Sequence, residues 1–116
     1  LEGRDRFAYR LGVEKMQAMR VMSALAQPTR LQVWRTLVDR LPDGMTAGDI
    51  AKAVDMSKNG MSPHFAILSA AGLLSAEKVG RMVIYRAETA QVEDLSAFLS
   101  DACERGRGTR AATEPE

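Results

Sequence analysis

Apolar positions recur along this chain with two periods, and the changes of period mark its elements. From Glu14 to Ala26, Met16, Met19, Met22 and Leu25 return about once per helical turn, which predicts an α-helix. Flexible thioether side chains suit either a packed core or a subunit contact. Pro28 opens a second helix well, because a first-turn proline forfeits no intrahelical bond. Leu31, Trp34, Leu37, Val38 and Leu41 form its apolar stripe, with Trp34 as a core anchor, and Leu41-Pro42-Asp43-Gly44 supplies turn residues to end it. Two shorter helical runs follow. The first carries Ile50, Ala51 and Val54 and is entered through Thr46, with Asp49 three positions on, a capping-box spacing in which Asp replaces Glu or Gln. The second carries Met61, Phe65 and Leu68 at i, i+4 and i+7, with Ser57 as N-cap and Asp55-Met56 as the break between the two runs. Beyond Ala71-Gly72, a glycine C-cap, the period drops to two. Leu73 to Val79 and Met82 to Ala87 read as strands joined at Val79-Gly80-Arg81, with Val83 and Tyr85 alternating against Ile84 and Arg86. Val92, Leu95, Phe98, Leu99 and Ala102 then define a last helix starting at Glu88 or Thr89.

Two short helices about a tight break, followed by a hairpin, predict a mainly α fold with a β-hairpin wing. The expected order is α-α-α-α-β-β-α, a winged helix-turn-helix. The outer face of the second short helix carries Ser57, Lys58, Asn59 and Ser62, with His64 to one side. These side chains can hydrogen-bond bases or phosphates. A helical hairpin with a solvated polar face, or a β-hairpin with solvated charges, accounts for either element alone; their succession points to DNA. Pro63 has no N–H to give residue 59 and disfavours helical geometry at Ser62. Either the helix is kinked near its start or its regular part begins only about Pro63. Arg30, at the start of the second helix, has a phosphate or an acid as its two candidate partners.

The 116 residues suit one domain, and 46% hydrophobic with 27% charged residues is ordinary globular composition. No apolar run approaches the roughly 20 residues that cross a bilayer, and no signal peptide is visible, so no membrane partner is expected. The single cysteine, Cys103, excludes an intrachain disulfide framework and suits a reducing cytoplasm, the expected location. A formal net charge of +1 is silent about nucleic acid, but its distribution is not: residues 57–86 carry +3 and residues 88–104 carry −5. Lys78 and Arg81 lie at or near the hairpin tip, where they suit phosphate or minor-groove contact. The domain is expected over residues 14–104. Residues 1–13, beginning at Leu1 rather than Met, either extend the first helix or are foreign to the native protein. Residues 105–116 (RGRGTRAATEPE) are Gly-rich, polar and aperiodic, an expected disordered tail. Phosphate-loop, nucleophile and metal-cluster motifs are lacking, and the one histidine has no evident partner, so neither an enzyme nor a cofactor is expected. A winged-helix protein-interaction module is the competing class, permitted by the small net charge and the acidic last helix.

Three segments, ALAQPTRLQVWRTL (24–37), GDIAKAVDMSKNGMSPHFAILSAAGLL (48–74) and EKVGRMVIYRA (77–87), resemble in this order the ArsR/SmtB family of bacterial winged-helix repressors. The resemblance spans roughly residues 16–103. It implies a homodimer built on the first and last helices, with Met16, Met19, Met22, Val92, Leu95, Phe98 and Leu99 as the dimer face. It implies an inverted-repeat operator in double-stranded DNA, repression relieved by an inducer, and a recognition helix and wing carrying Ser57, Lys58, Asn59, Ser62, His64, Lys78 and Arg81. Phe65 stands where the family usually has Leu and should be core.

The inducer is not implied. Many relatives bind thiophilic metals at Cys-x-Cys before the turn, where this chain has Gly44 to Asp49 and no cysteine. Others bind zinc through Asp/His pairs on the last helix, which here has no histidine. No metal site is therefore expected. Cys103 has three readings: an inert small side chain, a thiol sensor of redox or persulfide, or a metal or arsenic ligand shared between two subunits.

Overall fold

The computed structural model describes the backbone of residues 2–113 and the side chains of residues 12–108. Helix α1 (Glu2–Leu25) is followed by α2 (Pro28–Asp39), strand β1 (Met45–Thr46), α3 (Ala47–Ala53), a single 3-10 turn (Lys58–Met61), α4 (Ser62–Ala70), strands β2 (Leu74–Val79) and β3 (Met82–Ala87), and α5 (Ala90–Thr113). This is the winged helix-turn-helix, with one strand that periodicity did not foretell. β1 pairs antiparallel with β3, Met45 opposite Tyr85 and Thr46 opposite Ile84, so the sheet order is β1-β3-β2. A two-residue strand has no period to read, and only its partner defines it.

The caps explain where the short helices start and stop. Thr46 Oγ1 accepts the Asp49 N–H at 3.2 Å and opens α3. At the other end Asp55 adopts φ +56°, and the Met56 N–H reaches the Ala51 carbonyl at 2.9 Å, so Asp fills a place that usually takes glycine. Ser57 Oγ accepts the Gly60 N–H at 3.2 Å and caps the 3-10 turn. Of the two geometries open to Pro63, the regular helix starts beside it. Proline lies in the first turn of α4, and Ser62 is helical (φ −53°, ψ −47°) rather than extended. Gly72, at φ +76°, lets the Leu73 N–H close back on the Leu68 carbonyl at 2.9 Å and ends α4.

The core gathers Val21, Val33, Leu37, Ile50, Met61, Leu68 and Leu73, each less than 2% exposed, where burial is worth about 1.5–3 kcal/mol per large side chain. Phe65 is buried, as expected, and stacks on Tyr85 with ring centroids 4.6 Å apart. The α2 stripe is rotated from the expected one. Val33 and Leu37 face inward, Trp34 and Val38 flank them, and Leu31 is exposed. In α1 the small residues Ala18 and Ala24 face the core together with Val21, while Met16, Met19 and Met22 are exposed. Of the two roles open to the methionines, packing within the subunit is thereby set aside.

Both terminal helices run beyond their apolar-periodic stretches, α1 in line with one of the two readings of residues 1–13. α1 extends upstream of Glu14 to Glu2, and α5 runs on through residues 105–113, which were expected to be a disordered tail; residues 114–116 lie outside the described residues. Arg and Ala are good helix formers, and Glu104 and Arg107 pair one turn apart.

Candidate nucleic-acid interface

Met61, Phe65 and Leu68 anchor the recognition segment from within, and this decides what faces out. Ser57, Lys58, Asn59 and Ser62 are exposed along the 3-10 turn and the start of α4. Ala66, Ile67, Ser69 and Ala70 continue that outer face; sequence reading passed over them because they are small or apolar. Ile67 stands exposed with no polar group to offer, and its surface suits a thymine methyl. His64 is half-buried, and its Nδ1 lies 3.5 Å from Arg30 Nη1.

Arg30 pairs with no acid among the described residues. Its Nε donates to the Ala24 carbonyl at 2.7 Å and its Nη2 to the Ser23 carbonyl at 3.4 Å, placing a cation on the carboxyl end of α1. The Arg30 N–H also donates to Gln27 Oε1 at 2.8 Å, which caps α2. One residue thus ties α1 to α2 and sits against α4.

The hairpin turns through Gly80 (φ +62°) and Arg81, the residue pattern of a type II′ connection, with Val79 paired to Met82 across it. Lys78 and Arg81 are exposed at its end. Arg86 is not free to join them. Its Nη1 lies 2.7 Å from Glu77 Oε1 and its Nε donates to the Pro42 carbonyl at 2.8 Å, so this cation braces the hairpin base. The basic character of residues 57–86 therefore resides in Lys58, Lys78 and Arg81. The Phe65–Tyr85 stack bridges α4 and β3.

The candidate dimer face divides in two. Val92 and Leu95 lean on the core of their own subunit and Phe98 is half-buried, whereas Leu99 is exposed, as are Met16 (65%) and Met19 (57%). Between α1 and α5 lies a groove of about 510 Å³, lined by Val13, Gln17, Leu95, Phe98 and carboxylates including Asp94 and Asp101. At its floor Gln17 Nε2 donates to Gln91 Oε1 at 2.8 Å and to the Ala71 carbonyl at 3.4 Å, linking both terminal helices to the end of α4. Cys103 is exposed on α5 rather than packed as a small apolar side chain. Among the described residues no three His, Cys, Asp or Glu side chains cluster to hold a metal, and no helix is long and apolar enough to cross a membrane.

Residues 25–75 match the pattern of a helix-turn-helix domain family. Over 87 residues the chain is 33% identical to the transcriptional repressor SdpR of Bacillus subtilis, covering 74% of this chain and 92% of that protein. Among solved structures it is similar to an ArsR-like transcriptional regulator from Rhodococcus, with TM-score 0.71, 24% identity and coverage of 88% and 97% of the two chains. It is also similar to an ArsR family transcriptional regulator at TM-score 0.69 and 28% identity, with 80% and 93% covered.

Proposed function

The chain belongs to the ArsR family of winged-helix transcriptional regulators, and on that premise we propose that it is a homodimeric repressor reading an inverted-repeat operator. That it is a DNA-binding regulator follows from the family; the repressor role, the dimer, the operator symmetry and the contact residues are the proposal. The observation that carries it is the division of the recognition segment. Every large apolar side chain but Ile67 turns inward there, leaving Lys58, Asn59 and Ser62 open to a major groove. Lys78 and Arg81 add phosphate or minor-groove contact beside it. The relative SdpR bears the name repressor, which supports that direction of control.

The dimer face comprises the exposed methionines of α1 and Leu99 of α5, with Val92, Leu95 and Phe98 supporting it from within. A twofold pair would then place its two α4 helices about one DNA turn apart, roughly 34 Å. The inducer acts away from the family's usual metal positions, since neither the segment before α3 nor α5 carries the ligands. Whether the one thiol is the sensor is decided by Cys103→Ser. Release of DNA by peroxide, persulfide or arsenite that persists undiminished in this variant assigns the signal elsewhere.

The test of the main reading is selection of duplexes from a random pool, followed by footprinting. A palindromic consensus protected on one face is expected. Arg81→Ala should weaken binding to all duplexes and lower the salt slope by about one, whereas Asn59→Ala and Ser62→Ala should change the preferred bases. Selection that enriches no duplex, or only isolated half-sites, would overturn it.

A further inference from the structure

The wing ends in apolar side chains that nothing in the subunit covers. Val79 and Met82 face each other across the turn and are 47% and 53% exposed. As a cross-strand pair they stand on the same side of the hairpin. Further down that side the character changes, with Ile84 half-buried and Glu77 paired to Arg86. Two apolar side chains side by side at a hairpin end form a small apolar tip that a partner surface can cover. Two cations lie at this end of the hairpin, Arg81 in the turn and Lys78 on the opposite face beside Val83, while Glu77 on the Val79 face is taken up by Arg86. An apolar edge flanked by two cations is complementary to a DNA groove, whose rims are phosphate and whose floor is the edge of stacked bases.

We infer that Val79 and Met82 form a wedge that enters the minor groove flanking each half-site and partly unstacks one base step, with Lys78 and Arg81 holding the phosphates on either side. This rests on the DNA-binding reading above and deepens it. The wedge makes the wing a reader of deformability. It favours operators with a pyrimidine–purine step at that distance from the major-groove contacts, because such steps unstack at least cost. Sequence preference would then appear at positions where no side chain hydrogen-bonds a base.

The experiment uses duplexes selected from a random pool by the full chain, with 2-aminopurine scanned through the flanks. The wild-type protein should raise 2-aminopurine fluorescence at one step on each side of the site and bend the duplex in a circular-permutation assay. Met82→Ala and Val79→Ala should abolish the rise, reduce the bend and weaken binding about tenfold. That is the scale set by returning one large apolar side chain to water. The salt slope should be unchanged, because no phosphate contact is lost. Met82→Leu should retain the fluorescence rise. These positions are exposed, so unchanged thermal melting of the variants confirms that the fold is intact. A selected duplex that binds with no unstacking at any step, or a Met82→Ala complex indistinguishable from wild type, overturns the wedge while leaving the repressor reading in place. Failure of the wild-type chain to select any duplex removes both. A Met82→Ala variant changed in oligomeric state but not in DNA binding assigns the wing tip to a protein contact and overturns the wedge.

Discussion

A methyl group on Gly44 would lie 2.6 Å from the Tyr85 carbonyl oxygen, 2.7 Å from Ile84 Cγ2 and 2.8 Å from Arg86 Cγ. The residue is also held at φ +79°, so two independent costs coincide. Gly80 has a similar backbone, φ +62°, but open space around it. Gly44→Ala should therefore destabilise the fold by about 2–4 kcal/mol, and Gly80→Ala by only about 1–2 kcal/mol, as read from denaturant unfolding. Equal losses would mean that β1 does not approach β3 as closely as described. The turn chemistry around Gly44 was visible from its neighbours Pro42 and Asp43. Its close approach to Tyr85 was not, because the clashing atoms come from residues about forty positions away.

The recognition segment and the wing are separate elements, and one of the contacts between them is aromatic. Phe65 stands on α4 and Tyr85 on β3, and their rings stack at an interplanar angle of 28°. Offset aromatic pairs contribute about 0.5–1.5 kcal/mol beyond the area they bury. A double-mutant cycle of Phe65→Leu and Tyr85→Leu should return a coupling of that size, and additive losses would show the stack to be incidental. Phe65 as core and Tyr85 on a strand were both readable from period alone. Their mutual contact depends on how α4 packs on the sheet, which no local pattern encodes. The same distinction applies to α2. Its start at Pro28 was readable, but the choice of Val33 over Leu31 as the inward residue was made by neighbouring helices. Trp34 shows it again: its Nε1 donates to the Glu88 carbonyl at 3.2 Å, 54 residues along the chain.

At the scale of the molecule, the subunit is extended for its length. Its radius of gyration is 18.5 Å, against about 13 Å for a compact chain of this size. The two long terminal helices account for the excess, and α1 exposes methionines at 40–65% along its outer face. An exposed apolar stripe on a projecting helix is the surface that a twofold partner would cover. Met16→Glu combined with Met19→Glu should give a monomer by sedimentation velocity, because burying two carboxylates across the axis is costly. Operator affinity should fall by at least about 100-fold, since the second half-site is no longer tethered to the first. Helical circular dichroism should stay essentially unchanged. A double variant that remains a tight dimer would place the contact elsewhere.

By itself the sequence determined every helix and the hairpin, and their order, but not β1, which only its pairing with β3 defines. Capping residues, the proline at the head of α2, the glycines at φ > 0 and the switch from a helical to a two-residue period all act on near neighbours. The extent of α5 escaped it, and that of α1 stayed open between two readings, because charged, small-residue stretches such as RGRGTRAAT have no apolar period yet can still continue a helix. Tertiary structure alone decided which cations are committed: Arg30 to the end of α1, and Arg86 to Glu77 and Pro42. It also decided which apolar residues stay outside, the methionines of α1 and the Val79–Met82 pair. The reason is that burial and ion pairing belong to residues brought together from across the chain, whereas period and caps belong to residues within a turn or two of each other.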